Sequence, residues 1–304
     1  MRHCYPITEW KDTLPNYVGK GDTYHSLHHH GVAVESEQMA YRIYFDKKQT
    51  IDPYCKKKPQ LELAQSHWYP NDSLLALGYG DDILRVSGTV GVGSVKYWNG
   101  KKHVHIEPVT ERSQHIVSSK KDQATIEVAV KGWQVPTAKR SYSETVLQSE
   151  GRSYSDSGRV TDMTVRYTMK AGHRDMRCDV SLSEAVEGLC TGVQTIPAKG
   201  ADHQSQITNY QLQNGVLLTS WGTDWPVNDS AKYAKETVGL AVFIPKEFAG
   251  ELVQDKQNNL CLFQKRTKLH FYLTCVGATK ENHPVATSAE EWLIYLRRWA
   301  KHLR

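Results

Sequence analysis

Apolar and polar positions alternate with a period of two over most of the chain, and a period near 3.6 shows once, at the far end. Residues 123–133, 159–169 and 176–182 read as strands by that alternation, and QTIPA, NYQLQNGVLLTSWG, ETVGLAVFIP, LCLFQK and LHFYLTCVGA follow as further strands. Residues 83–93 form a glycine-bearing strand that residues 95–98 continue, and Asn99-Gly100 then turns the chain into the return strand HVHIEPV. A helix begins at Ser288, where Ser288 and Glu291 make a capping box. Trp292, Leu296, Trp299 and Leu303 form its apolar stripe. With no internal repeat and no linker across 304 residues, the pattern predicts one all-β domain over residues 1–304. It is a large antiparallel β-sandwich with an irregular arm over residues 1–30 and a C-terminal helix over residues 288–303.

One stretch departs from the apolar pattern. Residues 28–54, HHHGVAVESEQMAYRIYFDKKQTIDPY, place three histidines ahead of a strand rich in polar side chains. Read as one strand from Glu35, it puts Glu35, Glu37, Met39, Tyr41, Ile43 and Phe45 on one face. Ser36, Gln38, Ala40, Arg42 and Tyr44 fall on the other. Polar groups inside a sheet cost free energy unless paired, so this strand reads as the floor of a polar cleft. An edge strand whose charges deter pairing with other chains is the competing reading. Tyr41 and Arg42 fall on opposite faces, so both reach one cleft only across a bulge.

Polar side chains also gather elsewhere. The return strand puts His103, His105 and Glu107 on one face, about 7 Å between successive same-face positions. Residues 56–80 form a long loop carrying Trp68, Tyr69 and Tyr79, of the length and composition that often serve function. Residues 138–158 read as a Ser-rich surface insertion, and residues 171–175, AGHRD, as a turn.

Composition narrows the function classes. Sixteen Tyr and eight Trp against five Phe favour rings with an apolar face and a polar handle, suited to sugars or partners. The formal charge of +5 is scattered apart from Lys56-Lys57-Lys58 and the last helix, so no nucleic-acid stripe forms, while an acidic small molecule or glycan is accommodated. No apolar run reaches membrane-spanning length. Six cysteines without CxxC spacing give neither a disulfide framework nor a thiolate metal site, and Cys178 and Cys275 read as core residues. The N-terminus lacks a signal-peptide core, which implies a cytoplasmic protein, or a periplasmic or secreted one whose export signal has been removed.

The polar strand followed by GYGDDILRVSGTVGVG, the AGHRD turn, WGTDW and GLAVFIP resembles the family known as domain of unknown function four-eight-six-one. The likeness runs from about His30 to the final helix. It implies a galactose-mutarotase-like supersandwich and a place in the breakdown of uronate polysaccharides such as pectin and ulvan. One implied reaction is dehydration of a terminal uronic acid on an oligosaccharide.

Elimination beside a uronate carboxylate needs that carboxylate neutralised, a base for the C5 proton and an acid for the C4 oxygen. Arg42 suits the first task, and His30, His105 and Tyr41 or Tyr79 suit the other two. Glu37, Asp82, Glu107, His173 and Trp225 are the candidate substrate contacts. Plainer roles stand beside them: turn residues for Asp82 and His173, an exposed sheet face for His103 and His105, sandwich core for Trp221. A divalent metal on His28, His30 and Glu35, or on His103, His105 and Glu107, is a further option, with weak local spacing. Lyase, dehydratase, hydrolase and non-catalytic glycan-binding module all remain open, with an acidic oligosaccharide as partner in the leading reading.

Overall fold

The alternating segments assemble into three antiparallel sheets. A computed structural model describes residues 5–7, 28–66, 69–136, 158–196, 206–227 and 233–303. Most of the irregular arm, Trp68 and residues 138–157 of the expected insertion lie outside them. The large sheet runs in the order Gln206–Leu212, Gly215–Asp224, Glu236–Pro245, Lys268–Gly277, Met176–Leu182, Val160–Lys170, Gln123–Gln134, Glu111–Ser119. A four-stranded sheet joins Tyr5–Ile7, Ala33–Glu35, Met39–Ile43 and Ile51–Cys55. A five-stranded sheet joins Ala249–Gln254, Asn258–Phe263, Leu189–Gln194, Lys96–Trp98 and His103–Val104.

Both smaller sheets pack on one face of the large one. Tyr41 and Ile43, Val193 and Cys261, and Met169, Cys178 and Phe271 meet in one apolar cluster drawn from all three. This is an all-β sandwich. The end of the opposite face is covered by helix Ala289–Lys301, whose Trp292, Leu296 and Ala300 bury against Leu217, Ala241 and Phe243. Ser288 caps it by accepting from the Glu291 N–H, while the Glu291 carboxylate reaches back to Thr287. Cys178 and Cys275 are core residues, as their apolar surroundings in sequence imply.

Four local expectations are corrected. The polar strand is a hairpin, because Ser36 closes a turn by donating its N–H to the Met39 carbonyl and accepting the Gln38 N–H on Oγ. That turn shifts the parity, so Glu35 lies with Ala40 and Arg42 rather than with Tyr41. Residues 83–93 make only isolated bridges, since Gly91 and Gly93 adopt φ of 54° and 80° and interrupt the ladder. The return strand stops at Val104, where the Glu107 N–H turns back to the His105 carbonyl, so His103, His105 and Glu107 do not share a strand face. Glu111–Ser119 is a strand the pattern conceals, because its inward positions are polar: Arg112 donates to the Ile106 carbonyl and Gln114 accepts the Val32 N–H.

Candidate functional site

The Ala33–Cys55 sheet has one apolar face and one charged face. Met39, Tyr41 and Ile43 enter the core. On the other side Arg42 stands directly opposite Asp52, and its Nη2 donates to the Asp52 carboxylate at 2.5 Å. Asp82 lies 3.5 Å from the same nitrogen. The guanidinium sits 4.0 Å from the Tyr54 ring centroid and 5.5 Å from that of Tyr69. Tyr44 donates its hydroxyl to Asp52 at 3.2 Å, and His30 stacks on the Tyr44 ring at 5.3 Å.

These charges are buried. Arg42 and Asp52 are 0% exposed and Asp82 4%. Burial pushes Asp82 well above the usual carboxylate range, and the neighbouring Asp52 charge adds to it. Burial likewise raises Asp52, opposed by Arg42. Tyr44 is also driven upward by burial and by Asp52, so its hydroxyl stays protonated at physiological pH. Since the charge of Arg42 is met inside the fold, the direct contact with a substrate carboxylate expected of it is not available in this arrangement.

A roof holds the cluster closed. Glu35 accepts the backbone N–H groups of Glu62 and Leu63 and pairs with Lys56, while Glu62 accepts the Gly80 N–H at 2.9 Å. Residues 56–66 and 69–82 are thereby fastened across the charged face. Glu35→Ala is expected to leave the buried Lys56 with Glu62 at 3.9 Å in place of its nearer partner and to orphan the two N–H groups, at a cost of about 3 kcal/mol. Limited proteolysis should then cut within residues 56–80, where the parent resists.

At the entrance, His29 and His30 hold φ of 57° and 61°, a left-handed pair that non-glycine residues adopt rarely. Gly31 follows against the next strand, where a Cβ would meet the Ile43 carbonyl oxygen at 2.1 Å. That close approach, with the His30 carbonyl accepting the Phe45 N–H at 2.8 Å, over-determines the strained turn and sets the His30 ring on Tyr44.

A second group of titratable side chains lies across the Asp46–Gln49 turn. His105 is half-buried with no partner for Nδ1 among the described residues. Burial, then Lys96, His103, Lys47 and Lys48, pull its pKa down to about 3, so the imidazole is neutral near pH 7. Lys96 is fully buried, donates to the Lys48 carbonyl, and is lowered by burial to about 7. Lys48 joins the two groups, its Nζ 5.8 Å from the Tyr44 ring. His103 is structural, its ring held between Asp255 at 2.5 Å and the Gly88 carbonyl at 2.9 Å.

Lys96 carries a stability signature. Its folded pKa lies below the unfolded one, so between about pH 7 and 10 the unfolded chain binds a proton that the folded chain does not. Stability therefore rises with pH in that window. Relative to Lys96→Met, the parent should gain about 3 kcal/mol between pH 7 and 9.5, at about 1.4 kcal/mol per pH unit. Urea midpoints across that range measure it.

The other sequence candidates disperse. Tyr41 is buried in the core with its hydroxyl on the Arg174 carbonyl at 2.6 Å, on the face away from Arg42. Tyr79 follows the short helix Asp72–Ala76, half-buried, and the ring this loop sets beside Arg42 is Tyr69 instead. Glu37 accepts the Gly172 N–H and so joins the His173 turn, whose own carbonyl accepts the Ser36 hydroxyl. Glu107 lies in the turn after His105, and Trp225 packs near Lys235, 5.8 Å from its ring. Thus His30, Arg42 and Asp82 come together, with His105 beyond the turn. The sequence singles out Tyr44 only as an anomalous polar position and gives no site role to Asp52, Lys48 or Lys96. Among the described residues no three His, Cys, Asp or Glu side chains converge to hold a metal ion, and the His28 side chain lies outside them.

Residues 10–304 match the family model described as Domain of unknown function (DUF4861), and the chain belongs to that family. No curated protein matches the chain. Among solved structures, the 4-alpha-glucanotransferase from Thermococcus litoralis is similar at 12% identity with a TM-score of 0.36. That likeness covers 86% of this chain and 39% of the glucanotransferase chain.

Proposed function

We propose that this protein is a carbohydrate-active enzyme performing β-elimination on uronic-acid oligosaccharides, with water leaving from a terminal uronate. The observation that carries this reading is His105, a half-buried imidazole kept neutral among Lys96, Lys47, Lys48 and His103. Elimination asks for a base that is unprotonated near neutral pH, and the positive field that lowers the basicity of His105 also stabilises the charge growing on the carboxylate. His105 takes the C5 proton, and the C5–H electrons become the C4–C5 double bond. The C4–O bond breaks, and its oxygen takes a proton from Tyr44 to leave as water. Lys47 and Lys48 supply the field from the turn. Arg42 and Asp52 hold Tyr44 from behind, and His30 covers its ring.

Incubation with oligosaccharides of glucuronan, pectin and ulvan should generate an unsaturated uronate that absorbs in the near ultraviolet. Folded protein that yields no such absorbance across the panel would overturn the proposal. A second reading, glycoside hydrolysis, would use the Glu107 carboxyl in the turn after His105. New reducing ends without absorbance would select it.

A further inference from the structure

The face of the large sheet turned away from the core holds chemistry that the elimination reading does not use. We infer that the groove between this face and the end of the C-terminal helix is a second saccharide-binding site, separate from the His105 region. Its volume is about 660 Å³, within the range that encloses a small organic ligand. The strand register lines up Thr125, Thr168, Arg177 and Tyr272 across four neighbouring strands. In the adjoining row stand His115, Glu127, Arg166, Asp179 and His270.

A merely solvated sheet face carries long side chains that move independently. Here the planar groups fix one another. Arg177 donates from Nε and Nη2 to Asp179 at 2.9 and 2.7 Å, and from Nη1 to the Tyr272 hydroxyl at 3.0 Å. The Thr125 and Thr168 hydroxyls lie 3.0 Å apart, and His173 Nδ1 lies 3.1 Å from Asp175. Tyr272 and Trp299 add half-buried aromatic surface to the lining. Preorganised planar donors and acceptors beside aromatic rings suit a ligand with adjacent hydroxyls on one edge and C–H bonds on its face. That describes a sugar ring. Lys170 and Arg177 are balanced by Asp175 and Asp179, so hydroxyl geometry rather than net charge does the recognition.

Glucuronotriose and cellotriose, a charged trisaccharide and its uncharged counterpart, are the probes. Each is titrated calorimetrically into the full chain carrying His105→Ala, which removes the proposed base and leaves the groove intact. Failure of the elimination proposal therefore leaves this test unaffected. At least one trisaccharide should bind saturably. Arg177→Gln, or Thr168→Trp placed to fill the groove, should weaken it at least tenfold with an unchanged unfolding midpoint. Loss in either folded variant supports the site. Absence of saturable binding by both sugars, or binding indifferent to both variants, overturns it.

Discussion

Replacing Arg42 with alanine is expected to cost about 3–5 kcal/mol of folding stability, or to prevent folding at neutral pH. The guanidinium lies within 3.5 Å of both Asp52 and Asp82, and water has almost no access to any of the three. Without it, two carboxyl groups already raised by burial must take up protons, so their folded pKa values climb further above the unfolded ones. The folded variant then binds more protons than its unfolded chain above pH 4, and stability falls as pH rises through that window. Urea midpoints at pH 5 and pH 8 should therefore show a larger deficit at pH 8. Arg42→Lys should recover only part, since an ammonium lacks the planar fork that meets Asp52 while lying near the Tyr54 ring. A folded Arg42→Ala variant with parental stability at pH 8 would remove the buried ion-pair account.

The same cluster shows what could be read from the sequence. Alternation located the main strands of the large sheet, since one face of each is apolar and the period of two survives. Ser288 and the Trp292/Leu296 stripe located the helix for the analogous reason. The polar strand was recognisable as anomalous because Arg42 and Tyr44 have no place in a core unless something pairs with them. What could not be read was the partner. Asp52 is ten residues away and opposite Arg42 only because the chain reverses at the Asp46 turn. Ser36 hid the other turn, since it offers no Gly, Pro or Asn signal and closes the bend with its own hydroxyl.

Burial of charge was the least legible property. Nothing in the sequence sets Lys96 apart from the other lysines, and only packing under the Asp46–Gln49 turn makes it a buried amine. His105 was singled out for a strand face it does not share with Glu107. The features that matter for its chemistry, Lys47, Lys48 and Lys96, approach from other segments.

His105→Ala is expected to lower the rate of near-ultraviolet product formation by roughly 10²–10⁴-fold, the usual worth of a positioned general base. The fold should survive, because the ring is half-buried and Nδ1 has no hydrogen bond among the described residues to lose. The pH profile separates a base from a merely structural ring. An imidazole with a pKa of about 3 is unprotonated at every pH above that, so kcat/KM should stay level as pH falls through 6.5 and decline only far below it. Lys96→Met removes one of the cations that depress His105 while leaving its burial in place. The acid limb should then move to higher pH without reaching the free-imidazole value. An acid limb near 6.5 in the parent, unmoved by Lys96→Met, would assign the proton transfer to another group. Tyr44→Phe divides the two steps further. It keeps the ring under His30 but removes the acid, so elimination of a poor leaving group such as water should fall far more than that of an activated aryl leaving group, which departs without a proton.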